Sequence, residues 1–302
     1  MKCSKCGFEN PESFKFCCQC GAKLINKCPN CGSTFPSYAK FCPECGIRVI
    51  VEPIGEGNAS EIVTCPTALE FMVDSCRSKM VKVEGGTFTM GATAEQEDDA
   101  ADGESPIHKV TLSDYYIGQT EVTQALWTAV MGSNPSKFKG DNLPVEGVSW
   151  VHCQFFIEKL NNLFSNKLGG MRFALPTEAQ WEFAARGGNK SKGYKYAGSN
   201  NISAVAWYEG NSNYMTHPVA QKQPNELGLY DMSGNVLEWC QDWFDDYSSD
   251  AQTNPQGPAS GTYRVMRGGS WFGVAEECRV SKRFSTPQNL SVFTGFRLCL
   301  IP

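Results

Sequence analysis

The sequence predicts two small metal-stapled modules followed by an α+β domain rich in loops. Three observations predict it. One cysteine pattern appears twice in the first 50 residues. The texture changes at Val81, where glycine, tryptophan and other aromatic residues become dense. Beyond that point, strand and helix periodicities are short-lived, which leaves long polar connections.

The cysteine pattern comes first. KCSKCGFENPESFKFCCQCGAKL is followed by KCPNCGSTFPSYAKFCPECGIRV. Cys3, Cys6, Cys17 and Cys20 recur as Cys28, Cys31, Cys42 and Cys45. Each set is two Cys-x-x-Cys pairs separated by ten residues, a hairpin-length spacer. Such spacing lets two knuckles converge on one tetrahedral ion, and four thiolates suit zinc. Each unit is too short to bury a core, so the metal supplies the folding energy, on the order of 10 kcal/mol. The expectation is two structural zinc ions, one in residues 1–26 and one in residues 27–50. A disulfide framework is the competing reading. The opening MKCSKCG carries no charged-then-apolar leader, which argues against an oxidising compartment. Cys18 has Pro43 as its counterpart and reads as a bystander. Cys65 and Cys76 receive no role.

Charge and hydropathy exclude two partner classes. Residues 1–50 hold seven Lys/Arg and three Asp/Glu, and two four-thiolate zinc sites cancel that excess. The other 252 residues carry 20 Lys/Arg and 29 Asp/Glu. No basic stripe remains, so phosphate-backbone binding lacks its driving force and no nucleic-acid partner is expected. No apolar run reaches 18 residues, so no membrane span is expected. A cytoplasmic protein follows from these readings as an expectation.

Residues 51–79 read as a linker with one short helix around Thr67 to Ser75. Residues 80–302 are long enough to bury one sizeable core. VKVEGGTFTMG alternates apolar and polar and reads as a hairpin with a glycine turn. The acidic EQEDDAADGES reads as a solvated tip, and HKVTLSDYYIGQTEVT reads as strand. Thr123 opens a helix that ends at Gly132. Ser149 caps another, with Phe156, Leu160 and Leu163 as its apolar stripe. Thr177 and Gln180 make a capping box for EAQWEFAARGG, closed by Gly187.

Seven segments then occur in one order: GGTFTMG, EVTQALW, PVEGVSW, LPTEAQWEFAARGG, GLYDMSGNVLEW, RGGSW and the terminal GFRL. Together they resemble the formylglycine-generating enzyme, or sulfatase-modifying factor, family over about residues 81–300. The resemblance implies a loop-rich C-type-lectin-like fold. Fold alone does not decide function, so each site is read separately.

In DMSGNVLEW, Asp231 and Glu238 flank Gly234 and Val236. Carboxylates mixed with main-chain carbonyls are what Ca²⁺ prefers, and the spacing matches one of two calcium sites that the resemblance implies. The other implied site needs an Asn where this chain has Val205, so one calcium ion is expected. Family enzymes oxidise a sulfatase cysteine with oxygen, using copper(I) held between two cysteines five positions apart after a Gly-Gly-Ser motif. Here Ser270 is present and Cys278 falls on the second cysteine, but Gly273 stands at the first. One thiolate does not make the two-sulfur site that Cu(I) selects, so copper is not expected. Cys240 and Cys299 read as core thiols. Related sulfur-transfer enzymes use three histidines on an added helical domain. His108, His152 and His217 lack a helical ligand spacing.

Between Trp271 and Gly295 the family commonly shows short polar side chains. This chain places Trp271, Phe272, Val274, Phe284, Leu290, Val292 and Phe293 there or at its edge. Aromatic and branched residues on loops of a rigid scaffold suggest a ligand surface. Some of them also fill the space of the absent copper pocket. The same loops resemble those of variable proteins of diversity-generating retroelements. The leading expectation is thus a non-catalytic protein that binds a protein or another macromolecule. The alternatives are a copper-dependent oxidase using Cys278 and Ser270, and a scaffold that docks through its zinc ribbons.

Overall fold

The computed structural model describes residues 79–302, apart from 165–167 and 291–292, together with the backbone of residues 25–27 and 34–36. The eight expected zinc ligands, Cys65, Cys76, the helix expected around Thr67 to Ser75, and Val292 lie outside the described residues. The chain divides into two units, Met1–Asp74 and Ser75–Pro302. In the first, β1 (Ile25–Lys27) pairs antiparallel with β2 (Thr34–Pro36). In sequence, Cys28 and Cys31 fall between those two strands, where a zinc knuckle belongs.

Among its described residues, the second unit holds three small sheets. One is β3 (Met80–Val83), β6 (Tyr115–Gly118), β13 (Cys299–Ile301) and β7 (Arg172–Ala174), in that spatial order. The next is β4 (Gly86–Met90), β5 (His108–Leu112) and β9 (Gln252–Thr253). The last is β11 (Arg283–Thr286), β10 (Arg264–Arg267), β8 (Leu237–Trp243) and β12 (Thr294–Gly295). The terminal strand β13 thus joins the opening strands of the unit, which ties its two ends together.

The hairpin expected from VKVEGGTFTMG does not form. Val81 pairs with Ile117 in one sheet, whereas Phe88 pairs with Val110 in another. The two glycines carry the chain between sheets, and a Cβ on Gly85 would collide with the Leu112 carbonyl oxygen. HKVTLSDYYIG divides in the same way at Ser113–Asp114. Alternation reported which faces are buried, as in the strict in–out pattern of β5. It carried no information on partners.

The helices follow their caps. Thr123 accepts from Leu126 N to open α1 (Gln124–Met131), which stops at Gly132 with φ 81°. The capping box of Thr177 and Gln180 opens α3 (Glu178–Ala185). In α2 (Trp150–Phe164) the buried stripe is Cys153, Phe156, Ile157, Leu160 and Phe164. Leu163 is 46% exposed, which corrects its expected place in that stripe. Phe164 stands eleven residues, about three full turns, beyond Cys153 and so on the same face, whereas Leu163 falls roughly 80° to one side. A single turn, α4 (Ile202–Val205), completes the set.

The acidic loop is likewise no solvated tip. It forms 3-10 turns over Ala94–Asp99 and Asp102–Glu104. Glu104 is 1% exposed and takes Arg279 Nη2 at 2.7 Å and Nη1 at 2.8 Å. Glu95 takes Arg186 at 2.6 Å. Distant arginines pull the loop onto the body, a pairing that local charge pattern does not reveal.

Among the described residues, five arginines are buried: Arg264, Arg267, Arg279, Arg283 and Arg297. Four are paired, with Glu182, Glu104, Glu178 and Glu238 respectively for Arg267, Arg279, Arg283 and Arg297. Arg264 instead lies between the rings of Trp150 and Trp243, at 3.7 and 3.4 Å from their centroids. Short strands and long loops leave many main-chain groups to be satisfied by side chains, and these guanidiniums supply the donors. Among the described residues, no helix is long and apolar enough to cross a membrane.

Candidate functional site

The site is built on the turn that follows β10. Gly268 and Gly269 adopt φ of 98° and 74°, a region side chains avoid. A Cβ on Gly269 would stand 2.7 Å from Cys278 Sγ, so the glycine makes room for that sulfur. Cys278 is fully buried and packs with Tyr196 and Val205. Burial and the neighbouring Glu277 carboxylate push its thiol up to about 12, so it stays protonated at neutral pH. Its carbonyl takes Ser233 Oγ at 2.8 Å.

Ser270 is 6% exposed. Gly273 N donates to the Ser270 carbonyl, and the Gly273 carbonyl accepts from Glu209 N. A Cβ at position 273 would lie 2.5 Å from Glu277 Oε2. The space of the family's first cysteine therefore faces a carboxylate. Cys240 and Cys299 sit in the main core with Trp181 and Val265, apart from the Cys278 cluster. Copper(I) wants two soft thiolates; this donor set, one protonated thiol and one carboxylate, does not fit it.

The loop aromatics converge beside this turn. Trp271 has Phe293 at 4.9 Å, Phe138 at 5.4 Å and Phe272 at 5.5 Å between ring centroids. Phe272 also meets Phe293 at 5.5 Å and Tyr214 at 6.1 Å. Trp271 is buried, so it serves as the floor of the cluster and not as an exposed anchor. Phe272, Val274 and Leu290 are 52%, 46% and 52% exposed. Phe284 belongs to β11, half-buried, with the Lys282 ammonium 5.8 Å from its ring. It makes no ring contact with the Trp271 group among the described residues. The sequence reading missed Tyr214 and Met215, which are 55% and 43% exposed, and Phe138 with the Lys137 ammonium 5.1 Å above it. In NSNYM, Asn213 and Tyr214 take left-handed φ of 55° and 57°, a conformation uncommon outside glycine, and nothing in the sequence signals it.

The calcium candidate lies under the same turn. Asp231 Oδ2 accepts from Ala220 N at 2.8 Å, while its Oδ1 is buried without a partner. Burial raises its carboxyl to about 6. Glu238 Oε2 takes Arg297 Nε at 2.6 Å and Trp181 Nε1 at 2.7 Å, and Oε1 takes Arg297 Nη2 at 2.6 Å. Glu121 joins them, its carboxyl pushed well up by burial and by Asp231 and Glu238. Three carboxyls thus share one guanidinium. The orphaned Asp231 Oδ1 fits a hard cation, and Glu238 retains one lone pair on Oε1. No three His, Cys, Asp or Glu side chains among the described residues converge as a metal site, so Gly234 and Val236 would have to supply main-chain oxygen.

The histidines do not assemble. His108 is buried with Nδ1 3.2 Å from the Pro106 carbonyl, and His217 stacks on Trp207 at 3.7 Å. His152 is exposed on α2.

Residues 70–300 match the sulfatase-modifying factor enzyme 1-like domain, and residues 3–46 match the double zinc ribbon. The chain is 36% identical over 248 residues to a chaperone protein LppX of Paenibacillus barcinonensis, covering 67% of this chain and 81% of that one. It is 31% identical over 288 residues to the formylglycine-generating enzyme of Streptomyces coelicolor, covering 72% and 87%. A serine/threonine-protein kinase pkn1 of Chlamydia pneumoniae matches at 33% over 73% of this chain, which spans only 37% of the kinase. Among solved structures, Treponema denticola variable protein 1 superposes with a TM-score of 0.66 at 35% identity, covering 74% of this chain and 95% of that one. PvdO from Pseudomonas aeruginosa, at 24% identity and a TM-score of 0.61, shares the fold. The chain belongs to the sulfatase-modifying factor enzyme 1-like family and carries a double zinc ribbon ahead of that domain.

Proposed function

We propose that the family domain serves here as a rigid scaffold that binds a protein through its C-terminal loops and performs no copper chemistry. The observation that carries this reading is the pairing of a protonated, buried Cys278 with Gly273 and Glu277, beside an exposed aromatic cluster. Phe272 and Tyr214 are the expected anchors, with Val274, Met215 and Leu290 around them; a few aromatics carry most of the energy in such surfaces. Trp271 and Phe293 hold the loop beneath. The likeness to a variable protein supports the further reading that a retroelement diversifies residues 271–293. The ribbons, with two zinc ions, are a spacer or a second docking module of a cytoplasmic protein.

Competition for Cu(I) against a chromogenic chelator tests the scaffold reading. The ribbon thiolates themselves take Cu(I), so the readout is a difference: the unaltered chain and Cys278→Ala are expected to retain equal copper, and the unaltered chain to leave a cysteine peptide unoxidised under oxygen. Tight copper that disappears in Cys278→Ala overturns the reading in favour of the oxidase. The retroelement reading predicts a near-copy of the last hundred-odd bases downstream of the gene, differing mainly at adenines, next to a reverse transcriptase gene.

Calcium at Asp231 is a structural part of the same proposal. A carboxyl raised to about 6 is protonated in the folded state below that pH, and the proton competes with the ion. Millimolar Ca²⁺ is therefore expected to raise the melting midpoint by about 2–4 °C near pH 7.5 and by nothing near pH 5. An equal response in Asp231→Ala would place the ion elsewhere.

A further inference from the structure

A cleft of about 440 Å³ opens where the end of β8, the first turn of α3 and the segment 255–258 meet. Its charged lining is mostly acidic: Glu178, Asp242, Asp245 and Asp246, against Arg283, with His108 beside them. Glu178 is already neutralised. Burial pushes its carboxyl up, but Arg283 and Arg267 outweigh burial and hold it below the usual range. Arg283 commits four of its five N–H donors, with Nε and Nη2 on Glu178 at 2.6 and 2.8 Å and Nη1 on the carbonyls of Gly103 and Asp245. His108 packs edge-on against Tyr247 at 4.8 Å. Arg264, whose charge also reaches Asp242, is turned into the Trp150–Trp243 sandwich.

Asp242 makes no ion pair among the described residues: Arg283, bonded to Glu178, reaches it only at longer range. The aspartate is 5% exposed, and its Oδ2 accepts Glu178 N at 2.9 Å, which caps a free amide of the α3 start. Asp242 lines the cleft with its Oδ1 beside Gly257, and among the described residues only Glu178 N and its own amide bond its carboxylate. Asp245 and Asp246 are exposed at the mouth. Trp243 and Tyr247 supply aromatic walls, each already carrying one guanidinium, Arg264 at 3.4 Å and Arg283 at 3.8 Å, so a ligand meets their remaining surface. A buried carboxylate is stable only when paired, and every nearby protein cation is committed elsewhere.

We propose that this cleft binds an organic cation, an alkyl ammonium or guanidinium, with Asp242 Oδ1 as its counter-ion. Asp245 and Asp246 draw the charge inward. Trp243 and Tyr247 hold the alkyl stem or the guanidinium plane. The source is a free amine or a Lys or Arg side chain of a partner, since both present the same head group. Burial, with the Glu178 carboxyl next, lifts Asp242 to about 7. A raised carboxyl is neutral below that value, so binding strengthens as pH rises from roughly 6 to 8.

Calorimetric titration of the full chain with agmatine, n-butylammonium and acetyl-Gly-Lys-Gly-amide tests this, with N-butylacetamide as the neutral control. Binding by at least one cation is expected, up to about tenfold tighter near pH 8 than near pH 6. Tighter binding of the free amines identifies a small molecule, and tighter binding of the peptide identifies a side chain. Asp242→Asn keeps an acceptor for Glu178 N and removes the charge, so it is expected to weaken binding at least about tenfold while melting as one transition. If Asp242→Asn does not hold its fold, the pH profile of the unaltered chain decides. Equal binding of N-butylacetamide, unchanged affinity in Asp242→Asn, a flat pH profile or no cation bound at 50 mM each overturns the proposal.

Discussion

Exhaustive chelation of the full chain is expected to release two zinc ions per molecule, one for each four-cysteine set, and to unfold residues 1–50. Each set encloses a segment too short to exclude water from an apolar centre. The thiolate–zinc bonds then provide on the order of 10 kcal/mol per site, which exceeds the net stability of many whole domains. The unit Ser75–Pro302 has its own core. It is expected to keep one cooperative unfolding transition in the chelator. Metal released is read with a colorimetric zinc dye, and structure by circular dichroism before and after. Cys28→Ser breaks one knuckle and should leave a single ion. Release of fewer than two ions from the unaltered chain, or loss of the larger unit's transition, removes the ribbon assignment or the independence of the two units.

The ribbons were legible in sequence because a metal site is local: its ligands must recur at fixed spacing. Thr123, Gly132, Thr177 and Gln180 were legible for the same reason, since a cap acts within one turn. What stayed hidden is non-local. Nothing around Glu104 announces Arg279, 175 residues away. Nothing in VKVEGGTFTMG states that its halves enter different sheets, because alternation reports burial and not partner. At the site, the replacement of a cysteine by Gly273 was plain. The burial of Trp271 and the exposure of Tyr214 were not, because loop direction depends on left-handed residues that only the fold identifies. The cleft at Asp242 was invisible for a similar reason: its importance arises from Arg283 and Glu178, 105 residues apart, having neutralised each other.

Replacing Arg297 by Met is expected to cost about 3–5 kcal/mol of unfolding free energy. Arg297 is fully buried and makes two 2.6 Å bonds to Glu238, with further bonds to the carbonyls of Gly118 and Tyr230. It therefore joins β6, β8 and the segment before β13, which are 59 to 179 residues apart in sequence. Its removal leaves Glu238 facing Glu121 and Asp231 with no guanidinium among them. Those carboxyls then hold protons more tightly in the folded state than in the unfolded chain. A raised carboxyl favours folding below its folded pKa, so Arg297→Met should recover stability as pH falls from 7 towards 5. Urea unfolding at both pH values measures this. The double variant Arg297→Met with Glu238→Gln should be more stable than Arg297→Met alone at pH 7, since it removes the stranded charge. A loss under about 1 kcal/mol in the single variant would mean that the three carboxyls are neutralised by something other than Arg297, with a bound calcium ion as the first candidate.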